Sequence, residues 1–491
     1  MLRSSFAAYL LLGLIACGRP SQPSAIDRLH PCTGDDGPTD AYCGSLPVFE
    51  NRDATAGRKI DLRLVVLPAL SSDSKPDPLF FLAGGPGQGA AELARNIREV
   101  FRRIETDRDI VLVDQRGTGK SHPLDCKAES DSLKDVNEPE LSGLDRLRQC
   151  LQGYDADPRL YTTPIAMDDL DDVRAFLGYD KINLYGGSYG TRAALVYLRQ
   201  HEPHVRAMVI DGVAPPDMRL PLFFARDAQR ALDLLLTDCG TDQACSAQYP
   251  NLRERVRMLL ARLDKEPVKT RLIHPRTGVP DDVTIDARLV AGALFGALYS
   301  PLASSLIPAI VEHAERNDFQ GMIALAFVND GAGDNMSVGM QLSVICAEDA
   351  PRISREDLER ASSSTLFGRH LMETRLKACE FWPRGSVPAG YYEPVKSSVP
   401  TLILSGQLDP VTPPDWGALV AKTLPNSKHL IAPGTGHGVI TTGCGVRLLK
   451  DFIDRGSAEG LDASCLGMLK RPPFFLTPTG PDPMRTTGPT S

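Results

Sequence analysis

The chain reads as an α/β protein built on a mostly parallel sheet, and three segments carry that reading. Residues 181–190, KINLYGGSYG, are a short apolar strand that breaks into Gly186-Gly187-Ser188-Tyr189-Gly190, and a helical stretch, TRAALVYLRQ, follows at once. Residues 399–409, VPTLILSGQLD, and 428–438, KHLIAPGTGHG, are two further buried-strand runs, each ending in a polar loop. Apolar runs of this length, bounded by glycine and proline and alternating with helical periods such as DDLDDVRAFLG, are the pattern of strands covered by helices on both faces.

The first segment also carries chemistry. Glycines two before and two after Ser188 let the chain turn sharply from strand to helix, holding the hydroxyl above the sheet in a strained backbone geometry. The same turn aims a helix N-terminus at the reaction centre, where the Tyr189 amide can donate to a developing oxyanion. A serine hydroxyl is a poor nucleophile near neutral pH, so the elbow calls for a histidine base and an acidic orienter. Asp409 and His437 stand at the ends of the other two strand runs, and the chain order Ser, Asp, His is the one expected of the α/β-hydrolase fold. Asp211, in VRAMVIDGVAPP, also follows a strand but reads better as a turn or cap residue. His201 and His204 end the elbow helix, where a cation complements the dipole. His429 lies within a strand pattern, and His30, His122, His274, His313 and His370 lie in polar or non-strand surroundings, so none has the placement of His437.

Two earlier segments complete the expected site. Residues 79–89, LFFLAGGPGQG, are a strand flowing into a glycine-proline loop that can supply the second oxyanion amide, from Gly85 with Gly84 next. Residues 109–119, DIVLVDQRGTG, are another strand, and Asp114 and Arg116 at its end are expected to tie this loop to the glycine-rich one by charge-assisted hydrogen bonds. Gly119-Lys120-Ser121 fails as a phosphate loop because Asp114 stands where the first glycine is required, and GPGQGA lacks dinucleotide-binding spacing.

In this order, AGGPGQG, DQRGTG, GGSYGTR, GQLDPVTPP and GTGHG resemble the proline iminopeptidase and tripeptidyl aminopeptidase branch of the α/β-hydrolases, over most of residues 60–215 and 397–455. The resemblance implies a triad of Ser188, Asp409 and His437, oxyanion amides from Tyr189 and Gly85, and acylation of the serine by an N-terminal residue or short N-terminal segment of a peptide. It also implies a helical cap that recognises the free amino group. Relatives usually begin the first motif with histidine; this chain has Ala83, which leaves the chemistry intact and bears on substrate preference. An amine needs a desolvated carboxylate near the nucleophile, and the expected anchor is Glu348, with Asp349 second, in SVICAED.

Organisation follows from where the strand-like runs stop. Residues 1–17 read as a signal peptide, 18–45 as a Pro-, Gly-, Ser- and Asp-rich tether, 46–215 as the first part of the core, 216–395 as a helical cap inserted between core strands 6 and 7, 396–470 as the second part of the core, and 471–491 as a tail. The cap expectation rests on amphipathic stretches such as PLFFARDAQRALDLLLTD and LRERVRMLLARLD, with few strand signals between them. An apolar fraction of 42% supports a substantial core, and a net charge of −8 argues against nucleic-acid binding.

The apolar run from Phe6 to Ala16 follows Arg3 and is too short for a bilayer span of about 20 residues. Its end, Leu14-Ile15-Ala16-Cys17, resembles a bacterial lipoprotein box, so Cys17 is the expected lipidation site and the expected location is the bacterial cell envelope, on the periplasmic side or surface of the outer membrane. The other ten cysteines are even in number, as an oxidising compartment would favour; sequence alone leaves their connectivity open, and the expected pairing joins neighbours as Cys32–Cys43, Cys126–Cys150, Cys239–Cys245, Cys346–Cys379 and Cys444–Cys465. No metal-ligand spacing occurs, and neither a metal nor a cofactor is expected. The function expected is therefore an exported serine exopeptidase acting on peptides, with two alternatives: a carboxylesterase or lactonase using the same triad on small esters, and a non-catalytic surface-binding lipoprotein.

Overall fold

The computed structural model describes residues 28–481 except 55, 127–132, 134–139, 328–335 and 478–479; the signal segment and Cys17 lie outside the described residues. In chain order the strands are β1 (His30–Pro31), β2 (Tyr42–Phe49), β3 (Lys59–Leu67), β4 (Leu79–Leu82), β5 (Ile110–Val113), β6 (Ile182–Gly187), β7 (Val205–Asp211), β8 (Val268–Ile273), β9 (Pro280–Ile285), β10 (Thr401–Gly406) and β11 (Ser427–Ala432). Nine of them form one sheet in the order β1-β2-β3-β5-β4-β6-β7-β10-β11. Pairing is antiparallel from β1 through β5 and parallel from there on.

Strands β4, β5 and β10 are buried along their whole length because helices cover both faces, which is why they read as unbroken apolar runs. On one face lie α1 (Ala94–Glu105), through Ile97, Phe101 and Ile104, and a C-terminal helix that contributes Leu448 and Phe452. On the other lie α2 (Thr163–Leu177) and α3 (Tyr189–His201), through Leu170, Val173, Val196 and Leu198. The exchange of β4 and β5 in the strand order is a topological switch, and ligands bind outside the C-terminal strand ends at such points. Leu82 at the end of β4 pairs with Gly186 near the end of β6, so the glycine-rich loop and the serine turn emerge side by side.

Between β7 and β10 the chain leaves the sheet and builds a second body with its own apolar cluster, including Leu232, Leu235, Val256, Leu294, Val311 and Phe319. This cap is not purely helical. Strands β8 and β9 form an antiparallel hairpin that burial exposes on most of its length, keeping only Leu272, Val283 and Ile285 inside, so its apolar signal is thin. Four cap helices matter below: α4 (Phe224–Thr241), α5 (Ala287–Leu298), α6 (Val338–Val344) and α7 (His370–Ala378).

Two boundaries need correction. Residues 30–45 are not a tether: β1 pairs with β2, which begins at Tyr42, and the Cys32–Cys43 bridge closes the loop between them. The start of the expected tail is likewise packed. Arg471 meets Asp238 at 2.7 Å, Phe474 is buried in the cap cluster, and the Phe475 amide donates to the Ser305 carbonyl at 3.2 Å. Polar, proline-rich composition concealed both attachments, each made by a few side chains rather than by a periodic run. All five sulfur pairs join sequence neighbours, at separations of 11, 24, 6, 33 and 21 residues.

Candidate active site

Ser188 sits between β6 and α3 with φ 55° and ψ −124°, a conformation that costs a non-glycine residue about 1–3 kcal/mol. The turn is possible because its flanking glycines have no side chains. A Cβ on Gly186 would lie 2.3 Å from the Gly190 carbonyl oxygen, and one on Gly190 would lie 2.1 Å from that of Leu82. Tyr189 opens α3, and its side chain is buried with its hydroxyl 2.7 Å from Thr163 Oγ1, leaving its amide at the helix start. The glycine-rich loop meets the serine at Gly84, where a Cβ would stand 3.3 Å from Ser188 Cβ. Gly85 follows with φ 111°, its Cβ direction filled by Met336 Sδ at 2.8 Å.

Asp409, fully buried after β10, is held by its own loop. Its Oδ1 accepts the amides of Val411 (2.9 Å) and Thr412 (2.8 Å), while Oδ2 accepts the Thr412 hydroxyl (2.8 Å) and His437 Nδ1 (2.7 Å). Burial alone would raise this carboxyl; His437 and the loop donors reverse the sign and hold it below the usual aspartate range. For His437 burial works against the charged ring, and Asp409 outweighs it, so the imidazole pKa is raised. Nδ1 is thus committed to Asp409 and Nε2 is left for chemistry.

Asp211 braces this arrangement and is not a competing orienter. Its carboxylate accepts the amides of Val439 (2.9 Å) and Ile440 (2.8 Å) just after His437, and its carbonyl accepts the Ser188 amide at 2.9 Å. The next residue, Gly212, has His437 Cε1 3.2 Å from where its Cβ would be. The Asp211–Gly212 unit therefore borders both Ser188 and His437. Above the ring lies Tyr299, at a centroid separation of 5.2 Å, and the Tyr299 carbonyl accepts the His437 amide at 3.1 Å. Thr412 and Tyr299 were not singled out from sequence; Thr412, three residues after Asp409, had a detectable signal in the Asp-x-x-Thr turn pattern.

Other expectations resolve as follows. Asp114 does tie its loop to the glycine-rich one, accepting the amides of Ala91 (2.7 Å) and Lys120 (3.0 Å), and burial pushes its carboxyl up to about 6. Arg116 does not: its guanidinium pairs with buried Asp169 at 2.6 and 2.9 Å and with the Glu50 and Leu160 carbonyls. His201 and His204 contact Asp168 and Asp171 at 3.0 and 2.8 Å, and His429 contacts Ser405, all away from Ser188's loop.

Glu348 and Asp349 lie in the π-helical turn that continues α6, and the amine-anchor expectation does not fit what surrounds them. Both are fully buried. Glu348 accepts the Thr163 amide (2.7 Å), the Thr163 hydroxyl (3.0 Å) and the Tyr391 hydroxyl (2.5 Å), with Arg192 at 3.4 Å. Asp349 takes Arg192 at 2.9 and 3.2 Å and Arg352 at 3.3 Å. Every carboxylate oxygen already has a protein donor, and Arg192, on α3 behind the nucleophile, is their counter-charge. The pair fastens the cap to the elbow helix instead of waiting for an ammonium group.

A Ser-bearing strand-to-helix elbow, a buried Asp–His pair and this strand order define a serine hydrolase of the α/β-hydrolase fold. Within that class the chain is similar to peptidases. A sequence-family profile described as alpha/beta hydrolase fold matches residues 77–238, and one described as TAP-like protein matches residues 363–465. The chain is 28% identical to the serine protease Hip1 of Mycobacterium tuberculosis over 464 residues, covering 87% of this chain and 88% of the relative. It is 28% identical to the tripeptidyl aminopeptidase of Streptomyces lividans, over 36% of each chain. It is 31% identical to the proline iminopeptidase of Neisseria gonorrhoeae, over 28% of this chain and 32% of that one. The protein is a serine hydrolase of the α/β-hydrolase fold, and these relatives of it are peptidases.

Proposed function

We propose that the protein is an exported exopeptidase that releases N-terminal residues or short N-terminal peptides by two-step acyl transfer. His437 takes the Ser188 proton, the alkoxide attacks the scissile carbonyl, and the amides of Tyr189 and Gly85 stabilise the tetrahedral oxyanion. His437 then protonates the leaving amine and activates the water that hydrolyses the acyl-enzyme, while Asp409 fixes its tautomer and offsets its charge. The observation that carries this reading is the 2.7 Å contact of Asp409 with His437 beside a serine held at positive φ. The exopeptidase element is supported by the roof: Ser337 donates to the Gly87 carbonyl at 2.9 Å and Tyr299 covers His437, which suits chain ends better than loops of folded proteins. Five disulfides support an oxidising compartment, and lipidation at Cys17 would anchor the mature chain to a membrane.

Ser188→Ala is expected to abolish labelling by a fluorophosphonate probe and cleavage of proline and alanine naphthylamides alike. Labelling that persists in the alanine variant would place the nucleophile elsewhere, and turnover of short acyl nitrophenyl esters without turnover of any naphthylamide would make the protein an esterase.

A further inference from the structure

With Glu348 and Asp349 saturated, the roof of the cleft presents a charge of the opposite sign. Arg375 lies on α7, half-buried, with its Nε donating to Gln341 Oε1 at 3.0 Å and Nη1 to the Leu371 carbonyl at 3.4 Å. No carboxylate pairs with it among the described residues. Nearby Glu373 is taken at 3.3 Å by Arg369, the residue that precedes α7.

Its two neighbours locate it. Gln341 is one turn along α6 from Ser337, whose amide bonds to the glycine-rich loop at Gly87, and the Gln341 amide donates to the Ser337 carbonyl at 3.0 Å. Arg375 also acts electrostatically on Tyr299, the ring packed on His437. The Tyr299 hydroxyl has no hydrogen-bond partner among the described residues. The Gln341 contact therefore sets Arg375 one helix turn from the segment that roofs the oxyanion loop, within electrostatic reach of the ring that covers His437. Burial holds its pKa below the usual arginine value, with Tyr299 as the offsetting neighbour. A desolvated guanidinium and a phenol, both with donors unused among the described residues, are complementary to a planar carboxylate.

We propose that Arg375, assisted by the Tyr299 hydroxyl, docks a carboxylate of the substrate close to the scissile bond. The inference rests on the peptidase reading for its ligand, which is a short peptide carrying either a free C-terminal carboxylate or an acidic side chain. It predicts that the protein prefers anionic substrates although it is itself acidic.

The test compares kcat/KM within matched pairs, on the full chain and its Arg375→Gln and Arg375→Lys variants. One arm uses Pro-Ala-Ala against its C-terminal amide; the other uses Pro-Glu-Ala amide against Pro-Gln-Ala amide. Wild-type protein is expected to favour the charged member of at least one pair by about tenfold, as a charge-assisted contact would. The arm that shows the preference identifies the source of the carboxylate. In Arg375→Gln the ratio should fall to near one whatever the absolute rate, and Arg375→Lys should keep part of it. No preference in either wild-type arm, or a ratio unchanged by Arg375→Gln, overturns the proposal. If the wild type cleaves esters but neither these peptides nor their hexapeptide extensions, the peptidase reading fails, and mono-nitrophenyl succinate against nitrophenyl butyrate puts the same question to Arg375. Should Arg375→Gln not fold, competitive inhibition of the wild type by succinate but not succinamide supports the docking site, and equal inhibition overturns it.

Discussion

Asp409 and the Glu348–Asp349 pair are equally sealed from water, yet they serve opposite ends. Asp409 faces a group that gains and loses a proton, His437, and its other donors come from its own loop within three residues. Glu348 and Asp349 face Arg192, a permanent cation, and draw their remaining donors from Thr163, Tyr391 and Arg352. The first arrangement is local, so it can be rigid without depending on the cap. The second joins segments far apart and holds two bodies together. Burial of an acid does not mark function; the kind of partner does.

That contrast can be broken most sharply at Asp409. Asp409→Asn should lower kcat on a nitrophenyl ester by about 10⁴-fold through the wrong imidazole tautomer, while the urea midpoint changes little; a loss of stability with modest loss of rate would invert the comparison. Arg192→Met should do the reverse. It leaves Glu348 without a counter-charge and Asp349 with Arg352 alone, and the expected cost is about 3–5 kcal/mol in denaturant unfolding. An unchanged midpoint would mean that the cluster does not hold the cap. The smallest effect sharpens the catalytic side. His437 must be neutral to accept a proton, and Asp409 raises its pKa, so the acid limb of kcat/KM should have its midpoint above the ordinary histidine value of about 6.5. A limb at or below that value would mean that the pair is not formed in the free enzyme.

The same contrast explains what could be read in advance. Ser188, Asp409 and His437 each lie in a strand-end loop with a local signature, so sheet order and their chemistry were legible from short windows. Thr412 is equally local and was overlooked. Glu348 was legible as an acid beside an apolar run, but its partner Arg192 is 156 residues away, and without that partner a saturated ion cluster looks like an open anchor. Arg375, Gln341 and Tyr299 come from three separate cap segments with no shared pattern, and only folding assembles them. Arg116 was assigned to the correct loop and the wrong neighbour, because its partner Asp169 belongs to α2.

The placement of the cystines has a mechanical consequence. Cys32–Cys43 and Cys444–Cys465 staple the sheet-bearing body, Cys126–Cys150 closes a loop ahead of α2, and Cys239–Cys245 and Cys346–Cys379 lie within the insertion. Among the described residues no bridge crosses from one body to the other. Each half is thus tied covalently within itself, while the seam between them is held by packing and by ion pairs such as Arg192–Asp349.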